Sequence, residues 1–394
     1  MQSPNLDDIQ RQFAGDTGSL RRLRVALFIP SLSGGGAERA TATIAGGLDE
    51  ALFEPILLLE RGGSHVYAVG SSVAVHSLGV TKSRRTLGPL VSFLRREQPD
   101  ILYSALPHLN ILAALGRQFV HPKPHLVVSV HSNQERELAT VRNGAVMRLI
   151  MPWVYRSADA VVVVSSGIAD ELRSVVGRSE KLQRIYDPLD VARVVAMAQE
   201  DVRHPWFDGN HEVISAMGRL SPEKGFLSLV RAFATVRERR PTARLLIMGD
   251  GDQADEIVAL AQDLGVAEQV QLLGFQQNPF AYIARSTCFV MSSSWEGFGM
   301  AIVEAMASGT AVLSTDCPYG PSEILEGGKY GLLVRPGSID DLAEGISRLL
   351  NDQDLRRDLA EHGKARAMDF DVGTVLPMYS DLLRQVGRRP PQPS

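Results

Sequence analysis

Val25-Ala26-Leu27-Phe28-Ile29-Pro30-Ser31-Leu32-Ser33-Gly34-Gly35-Gly36-Ala37-Glu38-Arg39 opens the regular pattern of the sequence. The first five residues are apolar without interruption. A half-solvated strand would alternate, so this run reads as a strand buried on both faces of a parallel sheet. The glycines Gly34–Gly36 end it, and a helical stretch follows from about Ala37 to Leu52. The same strand–loop–helix unit then recurs, with strands expected at Pro55–Leu59, Ile101–Ser104, Leu126–Val130 and Ala160–Val164. Strands that alternate with helices imply a parallel sheet covered on both faces.

Between 187 and 211 the pattern breaks at Asp187-Pro188, His204-Pro205-Trp206 and Gly209. It restarts with Val213–Met217, Leu245–Met248, Val270–Leu272, Phe289–Met291 and Ala311–Ser314. A chain of 394 residues is too long for one typical core, so two α/β domains are expected. Their bounds are placed at 21–190 and 191–370. A helical stretch from Pro377 to Val386, within 371–388, is expected to cross back onto the first domain. Residues 1–20 and 389–394 read as a flexible and a disordered tail. In open parallel sheets, ligands bind beyond the carboxyl ends of the strands, so two such sheets should face each other across a cleft.

Composition narrows the function. The net charge of −4 gives no general attraction to nucleic acid, and no apolar run reaches the ~20 residues that span a bilayer. The polar, acidic start (Asp7, Asp8, Asp16) lacks the apolar segment of a signal peptide. Two cysteines cannot build a disulfide framework, and Cys288, within a strand, reads as a small buried hydrophobe. A cytoplasmic, reducing setting is expected.

Two segments carry chemistry. Gly218-Arg219-Leu220-Ser221-Pro222-Glu223-Lys224-Gly225 follows a strand and sets an Arg and a Lys five positions apart across a turn. Two fixed cations at a strand end suit a diphosphate, which Arg can fork and Lys can meet as a point charge. A solvated turn with a structural ion pair is the plain alternative. The second segment is Ser292-Ser293-Ser294-Trp295-Glu296-Gly297-Phe298-Gly299-Met300, continuing to Glu304 and Gly309. Its loop offers backbone N–H groups at a helix N-terminus, a ready site for an anion or hydroxyl. Glu296 and Glu304 lie on one loop and its own helix, an unlikely way to flank a bond as a glycosidase pair does. They suit hydrogen bonding to sugar hydroxyls better, although Glu304 could simply complement the helix dipole.

This second segment resembles the Glu-x7-Glu motif of the retaining glycosyltransferases of family 4, which have the GT-B fold. The resemblance covers nearly the whole chain. Gly218, Arg219, Lys224 and Gly225, the Met248-Gly249-Asp250-Gly251 strand end and Gly331-Leu332-Leu333-Val334 all match in order. Gly35-Gly36-Ala37-Glu38-Arg39 and Thr315-Asp316-Cys317-Pro318-Tyr319-Gly320-Pro321 look like bacterial members that build polysaccharides or lipid-linked glycans. The resemblance implies that Arg219 and Lys224 bind the donor diphosphate, with Gly218 in the same loop. Glu304 would hold the ribose hydroxyls, and Glu296 with backbone groups of Gly297, Phe298 and Gly299 the donor sugar. Gly35 and Gly36 would approach the phosphates, Phe275 would lie along the base, and His131 would stand near the sugar. Glu38, His108 and Asn110 are candidates for the acceptor side. The implied reaction is retaining transfer from a nucleoside-diphosphate sugar, expected to be a UDP-sugar, to a glycan or lipid-linked acceptor, without metal or other cofactor.

Competing readings attach to several residues. Asp250-Gly251-Asp252 has the form of a divalent-metal motif, but an Asp opening a helix more often caps it. His131 alone would read as a structural histidine. Lys82, Arg84, Arg85, Arg95 and Arg96 form a basic segment that suits an anionic membrane or an acceptor diphosphate, against the alternative of a solvated helix face. A nucleotide-sugar epimerase, a glycan phosphorylase and a catalytically silent transferase-like partner are the rival functions.

Overall fold

A computed structural model describes residues 21–32, 35–62, 69–70, 72–140 and 143–389. Both tails expected from the sequence (1–20, and 389–394 beyond its first residue) lie outside them, as does Gly34. The first sheet has seven parallel strands in the order β3-β2-β1-β4-β5-β6-β7. They are β1 Leu23–Ile29, β2 Phe53–Leu59, β3 Ala74–Ser77, β4 Ile101–Ala105, β5 His125–Val130, β6 Ala160–Val163 and β7 Leu182–Arg184. The second has six parallel strands in the order β10-β9-β8-β11-β12-β13. These are β8 Glu212–Met217, β9 Ala243–Met248, β10 Val270–Leu272, β11 Cys288–Met291, β12 Val312–Thr315 and β13 Leu332–Val334. Each sheet reverses its strand order beside its first strand, the switch point that opens a ligand crevice.

The central strands form because their residues are apolar on both faces; β1 and β5 are buried almost throughout. Cys288 is a fully buried free thiol in β11, where burial pushes its titration up to about 12. Three strands escaped the sequence reading. β3, β7 and β13 are short edge strands of three or four residues and lack a continuous buried run. Only pairing with a neighbour makes them strands.

The chain passes between the domains twice at one place. Leu189 N–H donates to the Phe370 carbonyl at 2.8 Å, and Val372 N–H donates to the Leu189 carbonyl at 2.9 Å. The final helix then runs Val372–Gly387, starting five residues before Pro377. Asp371 caps it by accepting from Gly373 N–H at 2.8 Å. Pro377 lies inside the helix and offers no N–H to the Gly373 carbonyl. The helix buries Val375, Tyr379, Leu383 and Val386 in the core formed with β1 and β4, and Tyr379 meets Tyr103 edge-on at 6.4 Å. A second core continues across both domains through Phe298, Ile302 and Phe370. Phe298 stacks on Tyr186 at 5.2 Å and meets Phe370 at 5.5 Å. The two sheets are therefore held with their carboxyl ends facing a shared cleft.

Candidate active site

The floor of the cleft is made where β8, β9 and β10 end. Leu220 N–H donates to the Asp250 carbonyl at 2.9 Å, and Gly249 N–H donates to the Gly274 carbonyl at 2.9 Å. A side chain at Gly249 would collide with the Gly218 carbonyl at 1.9 Å, so glycine is required for this close stacking of loops. Asp250 takes part through its carbonyl. Among the described residues, no group of three or more His, Cys, Asp or Glu side chains is placed to hold a metal. Phe275 projects beyond β10 and is half exposed.

The turn after Arg219 ends in a short 3-10 segment, Pro222–Lys224, closed by Gly225 at φ +68° against the Ser292 carbonyl. This contact aims Lys224 at the loop after β11. Its Nζ lies 2.6 Å from Glu296 Oε1, which also accepts from Ser293 Oγ at 2.6 Å. Arg219 is exposed, and its charge acts on the carboxylate of Glu38 across the cleft. The helix Met300–Ala307 begins at Gly299, φ +104°. Among the described residues, no carbonyl accepts from the N–H groups of Gly297, Phe298 or Gly299. Two cations and a helix N-terminus with free amides thus converge, a combination made for an anion.

The N-terminal domain supplies the opposing wall. Glu38, one turn into the helix Gly36–Gly47, folds back so that its carboxylate fills the space beside Gly35. Burial pushes its carboxyl up, while the amides of Glu38 and Gly35 and the charges of Arg219 and His131 draw it back. In this state the glycine loop holds a carboxylate of its own, and the space beside Gly36 is open.

Arg39, which the sequence offers only as the end of the glycine-loop match, has its partner in the other domain. Its Nη1 donates to Glu304 Oε1 across the domain boundary, and its guanidinium lies 5.7 Å from the Phe280 ring centre. Glu304 is buried on the helix Met300–Ala307. Burial pushes its carboxyl up and Arg39 pulls it down. A surface arginine one turn into a helix gave no sign of this, because its partner lies 265 positions away.

His131 lies just past β5, but its ring is buried and engaged. Nδ1 is 3.1 Å and 3.3 Å from the two oxygens of buried Asp187, and Nε2 is 2.8 Å from Ser129 Oγ. What His131 presents to the cleft is its carbonyl, which abuts Gly297. A Cβ on Gly297 would sit 1.7 Å from that oxygen. Because backbone faces backbone across the domains, no rotamer relieves the clash. Gly297→Ala should therefore force the domains apart and lower transfer about a hundredfold, the usual effect of ~1 Å misplacement. Small-angle scattering should show a more extended particle; an unchanged profile with full activity would refute this.

The acceptor-side candidates separate. Asn110 is 1% exposed, accepting from Ser104 Oγ at 2.7 Å and donating to the Ser129 carbonyl at 3.1 Å. It ties β4 to β5 from a buried position, so its side chain is not part of the exposed cleft wall. His108 is partly exposed, with Nε2 3.7 Å from Oε2 of buried Glu60. Burial would raise the Glu60 carboxyl, but His108, Thr86 and Ser83 together hold it down at about 2. The basic segment is not one face. Lys82, Arg84 and Arg85 flank a turn at one end of the helix Leu87–Glu97, and Arg95 and Arg96 lie about 15 Å away at its other end. There Arg96 pairs with Glu97 at 2.8 Å and Arg95 donates to the Phe119 carbonyl at 3.0 Å.

Two family models divide the chain between them. "Glycosyltransferase Family 4" matches residues 34–193 and "Glycosyl transferases group 1" matches residues 198–366. The chain belongs to glycosyltransferase family 4. The enzyme is 27% identical, over 88% of its length and 96% of the relative's, to an N-acetylgalactosamine-N,N'-diacetylbacillosaminyl-diphospho-undecaprenol 4-alpha-N-acetylgalactosaminyltransferase of Campylobacter jejuni. It is 29% identical, over 89% and 96%, to the lipopolysaccharide core biosynthesis glycosyltransferase LpsE of Rhizobium meliloti. Among solved structures it resembles sucrose-phosphate synthase from Thermosynechococcus elongatus, with a TM-score of 0.81 at 20% identity over 93% and 99% of the chains. It also resembles Anabaena HepE in complex with UDP and glucose, with a TM-score of 0.75 at 23% identity over 92% and 100%. The transferase thus has the GT-B fold expected from its motifs.

Proposed function

We propose that the enzyme moves a sugar from a UDP-sugar to a hydroxyl of a lipid-linked glycan, with retention at the anomeric carbon and without a metal ion. The convergence of Arg219, Lys224 and the free amides of Gly297, Phe298 and Gly299 carries this reading. The bond to the leaving diphosphate breaks through an oxocarbenium-like state, and negative charge grows on the phosphate oxygens. Fixed cations and amides aimed there act where charge develops. Two resident side-chain cations can meet a diphosphate without help from a metal.

Retention is what the family likeness implies, and the pairing of the carboxylates bears on how it is achieved. Glu296 is tied to Lys224 and Ser293, and Glu304 to Arg39. Neither is a free nucleophile, so the acceptor hydroxyl attacks from the leaving-group face and the departing phosphate takes its proton. Glu304 accepts from the ribose hydroxyls, Glu296 from the sugar, and Phe275 lies along the base. Gly35 and Gly36 approach the phosphates once Glu38 yields its place. Asp187 and Ser129 fix the His131 ring, so His131 faces the sugar through its backbone. His108 lies on the acceptor side. The uridine base is supported by the likeness to a UDP-bound structure, and the lipid-linked acceptor by the diphospho-undecaprenol named for the Campylobacter relative. Such an acceptor places the enzyme at the inner face of the membrane. Among the described residues, no helix is long and apolar enough to cross one.

The test is a thermal-shift screen with UDP, GDP and ADP and their sugar conjugates, in EDTA. UDP and one UDP-sugar should raise Tm, with about 2.7 kcal/mol of added stability at a hundredfold excess over Kd. Proton NMR of the product should show the donor's anomeric configuration. Stabilisation only on adding metal, or an inverted product, would refute the reading.

A further inference from the structure

The helix Gly144–Ser157 packs Met151, Val154 and Tyr155 into the core of the first domain. Its opposite side is also apolar. Val146 is 59% exposed, Leu149 83% and Trp153 41%, at spacings of three and four residues that align them on one face. Between Ala139 and Ala158 the sequence contains no Asp or Glu, and exposed Arg148 and Arg156 flank the stripe. The stripe starts at the mouth of the cleft. The preceding helix, Gln134–Thr140, leaves the end of β5 there, and Arg136 donates to the Ser294 carbonyl of the donor loop at 3.2 Å. Arg148 joins the two helices by donating to the Glu135 carbonyl at 3.3 Å.

We infer that this face of the helix Gly144–Ser157 lies in the headgroup region of an anionic bilayer. Val146, Leu149 and Trp153 enter the acyl boundary, and Arg148 and Arg156 meet lipid phosphates. Val146 to Trp153 spans about 10 Å along the helix, so the face lies flat and does not insert. Tryptophan suits that depth because its ring has an apolar body and a polar N–H. Charge selects this occupant over a second copy of the chain. In a two-fold dimer the same patch meets itself, which brings the arginines of both copies into one interface with no Asp or Glu of this helix to offset them. Three side chains also fall short of the ~1,200 Å² of a stable interface. A bilayer of opposite charge meets neither objection. This surface is an apolar stripe beside the cleft, separate from the basic segment 82–96. It rests on the lipid-linked acceptor reading for its use, since the acceptor's lipid would stay in the bilayer while its glycan enters beside Arg136.

Flotation with vesicles of phosphatidylcholine, alone or mixed with phosphatidylglycerol, tests the inference. The wild-type enzyme should partition onto the anionic vesicles, and Leu149→Glu/Trp153→Glu should lower that partition about tenfold or more. Brominated acyl chains should quench wild-type tryptophan fluorescence and leave Trp153→Phe unquenched. Partition that is equal in the double variant, or absent in the wild type, overturns the inference. So does light scattering that shows a dimer dissolved by the double variant. UDP-induced stabilisation, measured on the same proteins, reads the donor site separately. If it survives while the vesicle result fails, only the membrane face is wrong; if it is absent in the wild type, the proposed reaction fails first.

Discussion

Lys224→Ala is expected to lower kcat/KM for sugar transfer about a thousandfold, mostly through kcat. A charged hydrogen bond to the ground-state diphosphate contributes only ~1.5–3 kcal/mol, and a preorganised contact that strengthens as the leaving group gains charge contributes ~3–4 kcal/mol. Lys224 is preorganised: Gly225 packs its turn against Ser292, and Glu296 holds Nζ at 2.6 Å. That same pair suggests a rival account, in which Lys224 merely neutralises Glu296. The double variant Lys224→Ala/Glu296→Gln separates the two. If neutralisation were the role, removing the carboxylate charge would restore activity. If Lys224 meets the diphosphate, the double variant stays as impaired as Lys224→Ala or worse, and UDP no longer raises its Tm. A fall of less than about tenfold in the single variant would remove Lys224 from the mechanism.

Arg39→Ala should destabilise the enzyme and weaken donor binding together, with a defined dependence on pH. Breaking a fully buried ion pair costs ~3–5 kcal/mol. The Arg39 side chain is 35% exposed and Glu304 5%, so solvent screens the pair and about 2 kcal/mol is expected. Burial already raises the Glu304 carboxyl above its ordinary 4.5, and Arg39 opposes that rise. A carboxyl raised in the folded state favours folding while protonated. That contribution is lost as pH rises from the ordinary value through the folded one. Without Arg39 the folded value moves further up and the window widens. The difference in Tm between wild type and variant should therefore grow as pH rises above about 4.5. Arg39→Lys should recover part of it. UDP affinity should also fall more in Arg39→Ala at acidic pH than at neutral pH, because a protonated carboxyl is a poorer acceptor for two ribose hydroxyls. A Tm difference that is constant across pH, or a variant with wild-type UDP affinity throughout, would show that the pair plays neither part.

The fold was legible in the sequence because its signal is local. Val25–Ile29, Leu126–Val130 and Phe289–Met291 each bury both faces, and each is bounded by a glycine, polar or serine-rich loop that a single window reveals. The order Gly218-Arg219…Lys224-Gly225, then Glu296…Glu304, could likewise be read as a donor site, since each cluster lies on one turn or one helix. Edge strands such as β7 lay beyond that reach, because three partly exposed residues have no pattern until a neighbour pairs with them.

What the tertiary structure alone decided is which partner each polar group meets. The sequence could not show that Asn110 is buried between β4 and β5, or that the His131 ring is held by an aspartate 56 positions on. Nor could it show that Arg39 reaches Glu304, or that a tryptophan stripe is left uncovered. Backbone pattern follows from neighbours in the chain, whereas charge pairing and exposure follow from neighbours in space, and two folded domains brought together make most of those neighbours distant in sequence.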